Sequence, residues 1–417
     1  MSIAIVGMLD EREDALRIIK DCIEERGHKT CLIDISIGTG AIVPTLKPDV
    51  RCEELVALAG KSAGMSGEPP ASVMTEGLRA KVTALHGAGE LEGIIAITGM
   101  TGALISLPVM RELPFGIPKL LISGATIMPV HAAQFSSYFA LRDITVMHTV
   151  VDTVGMNPLV RTLAVNGANA ISGMVEGRGF SLKEDKPSIA ITEFGFCDKG
   201  AHHIREILKR DYELVSIHAT GVGDKAAMDL APQGIFKAFI DLVPGAFAEH
   251  LLGGNRGVAG PGRLDLASNL MIPYIFCPGG FDMISCGPIQ RKDKDDPLWS
   301  SRKLAERKLY LQDSARVQAR MNPEELQLVA FAAAEKLNGY QRKARVKVVI
   351  PLRGFSSLSV EGGPLHDPDC DKVFPFALKK RLDPEISITE VDSDINSPQF
   401  ARAVAQALVQ AFEACEG

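Results

Sequence analysis

The chain has 417 residues, too many for one ordinary core, so two domains of roughly 200 residues are expected. Hydrophobic residues at 46% and charged residues at 23% exclude a disordered or fibrous chain and fit a soluble globular one. A net charge of −6, with no basic run flanking exposed aromatics, argues against direct nucleic-acid binding and against an anionic membrane surface.

Ser2 to Gly7 reads as a buried strand. A helix follows in which Ala15, Ile18, Ile19, Cys22 and Ile23 recur at helical spacing until Gly27 stops it. Lys29 to Ile33 is the next strand, and further apolar runs at Ile94–Thr98, Leu120–Ser123 and Ile144–Val150 alternate with helical segments. That is the pattern of a parallel sheet covered on both faces. The uncharged stretch Gly93–Met110 is interrupted by glycine, threonine, serine and proline, so it reads as strand, loop and helix rather than a membrane span. The N-terminal residues carry no basic region and no long apolar run, which makes the cytoplasm the expected location. The cysteines, Cys22, Cys31, Cys52, Cys197, Cys277, Cys286, Cys370 and Cys415, form no CxxC pair and suggest reduced thiols.

A charged, proline-containing stretch at 181–187 reads as a linker between a domain at 1–180 and a second at 188–417. The second domain restarts the pattern of the first. Ser188-Ile189-Ala190-Ile191 copies Ser2-Ile3-Ala4-Ile5, Asp198 falls near the position of Asp10, a helix spans Ala201–Lys209, and Glu213–Ile217 restates the strand that ends at Asp34. Strands are then expected near Phe236–Leu242, Tyr274–Cys277, Val346–Ile350 and Ile386–Val391. Asn322-Pro323-Glu324-Glu325 and Ser397-Pro398 open two helices. The charged, turn-rich segment 290–320, with Trp299, reads as a long excursion suited to a lid or partner surface. The expected fold is α/β, with two Rossmann-like doubly wound subdomains and mostly parallel sheets.

Ligands of such sheets sit beyond the carboxyl ends of the strands, and candidate residues gather there. In the first domain Thr98-Gly99-Met100-Thr101-Gly102 lies between strand and helix and could present amides and hydroxyls to a phosphate or carboxylate, although no lysine completes a P-loop. Ser123-Gly124-Ala125-Thr126 follows the next strand. Asp34 stands where a ribose carboxylate would, without the dinucleotide glycine fingerprint. Asp10 could meet a metal or ribose, or with Glu13 simply form a capping box.

In the second domain His218-Ala219-Thr220-Gly221 places an imidazole at a strand end beside a glycine turn, suited to proton transfer next to an anion site. Asp241, Glu249 and Asp282 are candidate carboxylates to orient it, Gly279 and Gly280 form another turn, and Arg353 with Ser356 offers a guanidinium fork and hydroxyl for an anionic substrate. His366 beside Asp367 reads as solvated loop rather than a metal site, and Cys197 as a buried thiol rather than a nucleophile.

Several ordered blocks resemble the ATP-binding domain family of the tomato mosaic virus resistance protein. They are Gly7-Met8-Leu9-Asp10, the 98–102 loop, Leu113-Pro114 through Pro118-Lys119, Val151-Asp152 to Asn157, Phe194-Gly195, His218-Ala219-Thr220-Gly221, Leu252-Gly253-Gly254, Arg263-Leu264, Gly280 with Asp282, and Pro351-Leu352-Arg353-Gly354. The resemblance spans nearly the whole chain and implies two Rossmann-like subdomains, with ATP and magnesium in the first. The chain departs from the family where it has Glu11-Arg12-Glu13 for the usual threonine, lysine and glycine, and Thr98 and Thr101 for usual glycines. Added carboxylates beside a triphosphate are unfavourable unless a cation intervenes.

The expectation is therefore an enzyme of hydrolase or lyase type acting on a small anionic substrate in an interdomain cleft, with Arg353 as clamp and His218 as acid or base. The alternative is a nucleotide-responsive protein that recruits a macromolecular partner, such as a separate protein bearing the barrel domain that the plant member carries. A homo-oligomer is compatible with either.

Overall fold

The computed structural model describes residues 1–60, 70–177, 186–265 and 271–416. Its contacts divide the chain into two units, Met1–Lys183 and Glu184–Gly417. The expected linker lies, as far as residue 185, outside the described residues.

In the N-terminal unit β1 (Ser2–Gly7), β2 (Thr30–Asp34), β3 (Leu91–Ile97), β4 (Lys119–Ile122) and β5 (Thr145–Met147) form a parallel sheet in the order β2-β1-β3-β4-β5. Its central strands are apolar on both faces because both are covered. On one side the helices Leu9–Glu25 and Pro158–Gly177 bring Leu16, Ile19, Ala164 and Ile171 onto Ile3, Ile5 and Ile95. On the other, Pro70–Gly87 and Met100–Glu112 bring Leu78, Val82, Leu107 and Met110 onto Val6, Ile94 and Ala96.

One local expectation is corrected here. The first helix is preceded by Met8 with no side-chain cap, so Asp10 and Glu13 do not form a capping box. Both carboxylates instead accept backbone hydrogens of the segment beyond β2: Asp10 Oδ2 from Gly40 (2.9 Å), and Glu13 from Thr45 (3.0 Å) and Leu46 (2.7 Å). Long-range partners take carboxylates that a local reading gives to the helix end.

The C-terminal unit holds β6 (Ser188–Glu193), β7 (Glu213–His218), β8 (Ala238–Asp241), β9 (Tyr274–Phe276), β10 (Met283–Ser285), β11 (Leu309–Leu311), β12 (Val317–Arg320), β13 (Val346–Pro351) and β14 (Ser387–Val391). Six of these make a parallel sheet in the order β14-β13-β9-β8-β6-β7. Both units thus open with the same arrangement, the second strand beside the first and the third on its other side. Asn322 caps the helix Pro323–Asn338 by accepting from Glu325 N–H (2.8 Å), and Ser397 Oγ accepts from Phe400 N–H (3.0 Å) at the start of the last helix, as their sequence motifs indicate.

The segment 290–320 is not a loose excursion. β11 and β12 pair antiparallel with each other, and β12 with β10, to form a small sheet. Trp299 is buried, its indole N–H donating to the Cys286 carbonyl (2.8 Å). Alternating polar and apolar residues in such short strands give too weak a period to be read beside so many charges. Among the described residues no helix is long and apolar enough to cross a membrane.

Candidate functional site

The site begins with two neighbouring strand ends. β6 and β7 run parallel with Glu193 and His218 as register partners, the last residues of both strands. Residues paired across a parallel ladder present their side chains on the same face, so carboxylate and imidazole emerge together. The helix Asp198–Leu208 follows β6 and supplies Arg205, whose guanidinium donates to Glu193 Oε2 (2.9 Å) and Ser216 Oγ (2.6 Å). His218 is exposed, with Nδ1 3.4 Å from the Thr220 hydroxyl oxygen.

These residues face a cavity of about 790 Å³ whose wall includes Glu193, Phe194, Asp198, Arg205, His218 and Arg256. Its rim includes Gln312 and Arg316 from the turn between β11 and β12, and every lining residue belongs to the C-terminal unit. Partial burial, then the neighbouring charge of Glu193, pushes the Asp198 carboxyl above its ordinary range, with His218 and Arg205 opposing. The cavity therefore holds a carboxyl raised above its ordinary range, an imidazole and a second carboxylate.

The loop after β7 is fixed from beneath. Gly221 has φ of +85°, and a Cβ there would stand 2.3 Å from the Arg256 carbonyl oxygen, so only glycine allows the approach. Its N–H donates to Asp224 Oδ2 (2.7 Å), while the other Asp224 oxygen pairs with the buried Arg263. Arg263 reaches on to both oxygens of Asp241 (2.8 and 2.7 Å). Asp241 also accepts from the Tyr274 hydroxyl and from Thr192 Oγ (2.9 Å).

Several expected roles are corrected by this placement. Asp241 is wholly buried in the Arg263 network at the end of β8 and does not line the cavity. Glu249 is equally buried and accepts from Arg256 Nε (2.6 Å), Arg256 N–H (2.6 Å) and Ser285 N–H (2.9 Å). Asp282 accepts from the buried Ser356 hydroxyl (2.6 Å), and burial pushes its carboxyl upward against the pull of Arg320. Gly279 and Gly280 serve packing: a Cβ on the first would stand 2.2 Å from the Leu242 carbonyl oxygen, and the second donates to the Phe355 carbonyl (3.0 Å).

Arg353 follows β13 on the same sheet edge as His218, but four strand spacings away, roughly 19 Å. Its fork is taken by both oxygens of the exposed Asp392 (2.6 and 2.7 Å). His218 and Arg353 do not form one site. Thr220 does line the cavity with His218, and Gly221 shapes its loop. Cys197 is buried, its thiol pushed well up by burial. Asp367 caps a short helix by accepting from Cys370 N–H (3.2 Å), and no metal-holding cluster of histidine, cysteine or carboxylate groups occurs among the described residues.

In the N-terminal unit Asp10, Gly99, Thr101 and Gly102 line a cavity of about 460 Å³ beyond β1 and β3, where the strand order reverses. Thr98 lines an adjoining one. Asp34 lies outside both linings and accepts from Leu9 N–H (3.2 Å) and Ser36 N–H (3.0 Å); Ser123 is buried and accepts from Ala125 N–H (3.2 Å).

These residues do not fit a magnesium triphosphate. The Arg12 guanidinium lies over Gly99, 2.8 Å from where a Cβ would stand, and takes up the side of the cavity next to the glycine loop. It is held there by Thr153 (2.7 Å), Glu11 and Asp152 (3.5 Å). Glu11 and Asp152 pair with that guanidinium, Asp10 adds a third carboxylate to the lining, and no lysine lines the cavity.

Residues 1–179 match the family model described as "Uncharacterised protein family (UPF0261) N-terminal domain", and residues 186–412 its C-terminal counterpart. The chain belongs to the UPF0261 family. This member is 32% identical over 422 residues to a UPF0261 protein of Clostridium tetani, covering 99% of both chains, and 28% identical to one of Rhizobium meliloti, covering 97% and 98%. It is also 28% identical to the ToMV resistance protein Tm-1 of Solanum lycopersicum, over 81% of this chain and 44% of that one, in agreement with the resemblance drawn from its sequence blocks. Among solved structures it matches a UDP-N-acetylglucosamine 2-epimerase of Rickettsia bellii with a TM-score of 0.23 and 9% identity, covering 66% and 78% of the chains.

In this UPF0261 member the wall residues that sequence reasoning missed are Glu193, Arg205 and Arg256, with Asp198 noticed only as a repeat position. Glu193 ends a strand that copies β1, where the matching residue is Gly7, and that contrast was the available signal. Arg256 gave none, because its partner Glu249 lies one helix turn and a loop away.

Proposed function

We propose that the C-terminal unit is an enzyme of hydrolase or lyase type acting on a small carboxylate- or phosphate-bearing substrate. The observation that carries this reading is the pairing of Glu193 with His218 at adjacent strand ends, within a cavity that also holds Asp198. General acid–base chemistry needs a proton donor and an acceptor facing one reacting group. Asp198, with its carboxyl raised, is the donor; His218 is the acceptor, and Arg205 orients Glu193. Arg205, Arg256 and Arg316 in the wall offer guanidinium groups suited to an anionic ligand.

The test is thermal denaturation against a panel of keto acids, hydroxy acids and phosphate esters. A ligand present at 100 times its dissociation constant stabilises by about 2.7 kcal/mol. Turnover of the ligand so found is then compared in wild type, His218→Asn and Asp198→Asn. Full activity in both variants would refute the proposed roles.

A second reading, recruitment of a macromolecular partner without catalysis, is favoured by one feature of the N-terminal unit. Met128 and Val150 line a shared cavity there and are exposed, Val150 at 83%, with Val130 exposed nearby in the chain at 84%. Stabilisation by no member of the panel, together with capture of a defined partner that Val130→Asp abolishes, would favour it.

A further inference from the structure

Arg256 is 5% exposed, yet its side chain is only half satisfied. Nε and the backbone N–H are spent on Glu249, and Nη2 lies against the same carboxylate, but neither Nη1 nor Nη2 has a hydrogen-bond acceptor. The Phe194 ring lies over the guanidinium, 4.5 Å from Cζ to centroid. Buried donors without acceptors are costly, and contact with a ring face compensates a guanidinium only in part. Both residues line the 790 Å³ cavity.

The other arginines of the wall have partners: Arg205 holds Glu193 and Ser216, and Arg316 holds Asp313. The buried wall donors without an acceptor are thus on Arg256, whose Nη1 has none and whose Nη2 has only its ion pair with Glu249, and together they form an edge that matches two oxygens of a carboxylate or phosphate. Phe194 is only partly buried, and its edge-on neighbour Phe196 is followed by Tyr310, so it belongs to an aromatic row along the wall.

We infer that Arg256 receives the oxyanion of the ligand and that Phe194 is the cover that must turn aside to admit it. The inference rests on the proposed function of the same cavity and gives its anion site a residue. Glu249 acts as a positioning residue: by holding Nε and the backbone N–H it leaves the far edge of the guanidinium as the binding edge. The shared ligand chemistry is a planar or tetrahedral oxyanion, and two probes separate its sources.

The experiment is calorimetric titration of the full chain with inorganic phosphate and, separately, with acetate. Wild type is expected to bind at least one of them. Arg256→Lys, which keeps the charge but loses the two terminal donors, should weaken that binding about tenfold or more, equivalent to about 1.4 kcal/mol. Phe194→Leu removes the cover and should tighten it severalfold. Tighter phosphate than acetate identifies a phosphate-bearing ligand, and the reverse a carboxylate.

Absence of binding by wild type overturns the inference, as does Arg256→Lys binding like wild type. If Arg256→Lys fails to fold by circular dichroism, Phe194→Leu decides: unchanged or weaker binding overturns the inference. Binding that depends on Arg256, in a protein whose His218→Asn variant is fully active, leaves the anion site standing and removes the acid–base reading. Anion binding indifferent to Arg256 with His218-dependent turnover does the opposite.

Discussion

Glu193 and His218 are partners across the last rung of a parallel ladder, Glu193 held 2.9 Å from Arg205 and His218 lying 3.4 Å from the Thr220 hydroxyl. The charge of Glu193 reaches Asp198 as well, where it adds to burial in raising the carboxyl. Glu193→Gln should therefore lower the pKa of Asp198 while leaving it above the ordinary range, because burial is the larger cause. A carboxyl-carbon NMR titration of both proteins measures this. An unchanged midpoint would show that the two carboxylates are not coupled.

Arg263 is enclosed with Asp224 and Asp241, and its removal leaves two carboxylates buried without a counter-charge. Breaking a buried pair from one side typically costs about 3–5 kcal/mol. Arg263→Met is expected to lose at least that much in urea denaturation, and a loss under about 1 kcal/mol would contradict the assigned network.

Asp371 gives a pH signature. Burial pushes its carboxyl from 3.8 up to about 6, against the opposing pull of Arg320. A raised acid favours the folded state while protonated, so its contribution is complete below the unfolded value and is lost as pH climbs through about 6. Between pH 4 and pH 7 the wild type should lose stability relative to Asp371→Asn, by at most about 3 kcal/mol. Denaturation curves of both proteins across that range decide it; a difference that does not vary with pH would place the carboxyl at its ordinary value.

The Arg12 guanidinium over Gly99 makes a prediction for the N-terminal unit. Magnesium and ATP should leave the melting temperature of the wild type unchanged. A saturable rise, absent in a Thr101→Glu variant, would show that the loop admits a triphosphate after all.

The architecture was readable because it is written in local signals. β1 and β6 share four residues in a row, and both units build the same opening order from them. His218 could be placed at a strand end for the same reason. What the sequence concealed is lateral distance: Arg353 and His218 lie on one sheet edge, but the strand order that inserts β9, β8 and β6 between them has no local mark. The carboxylates Asp241, Glu249 and Asp282 looked available because their partners, Arg263, Arg256 and Ser356, are distant in sequence or lie beyond turns. A charged side chain announces its chemistry in the sequence, but not whether another chain segment has already claimed it.

Arg263 joins Asp224, beneath the loop that follows His218, to Asp241, at the end of the central strand β8. Core and imidazole loop thus share one fastener. Substitutions at Tyr274 or Thr192, which touch only the far side of that joint, should combine non-additively with changes at Thr220 or His218. Drift in the interior of this protein is then constrained by the same few atoms that shape its cavity mouth, and compensating pairs are to be sought along that line.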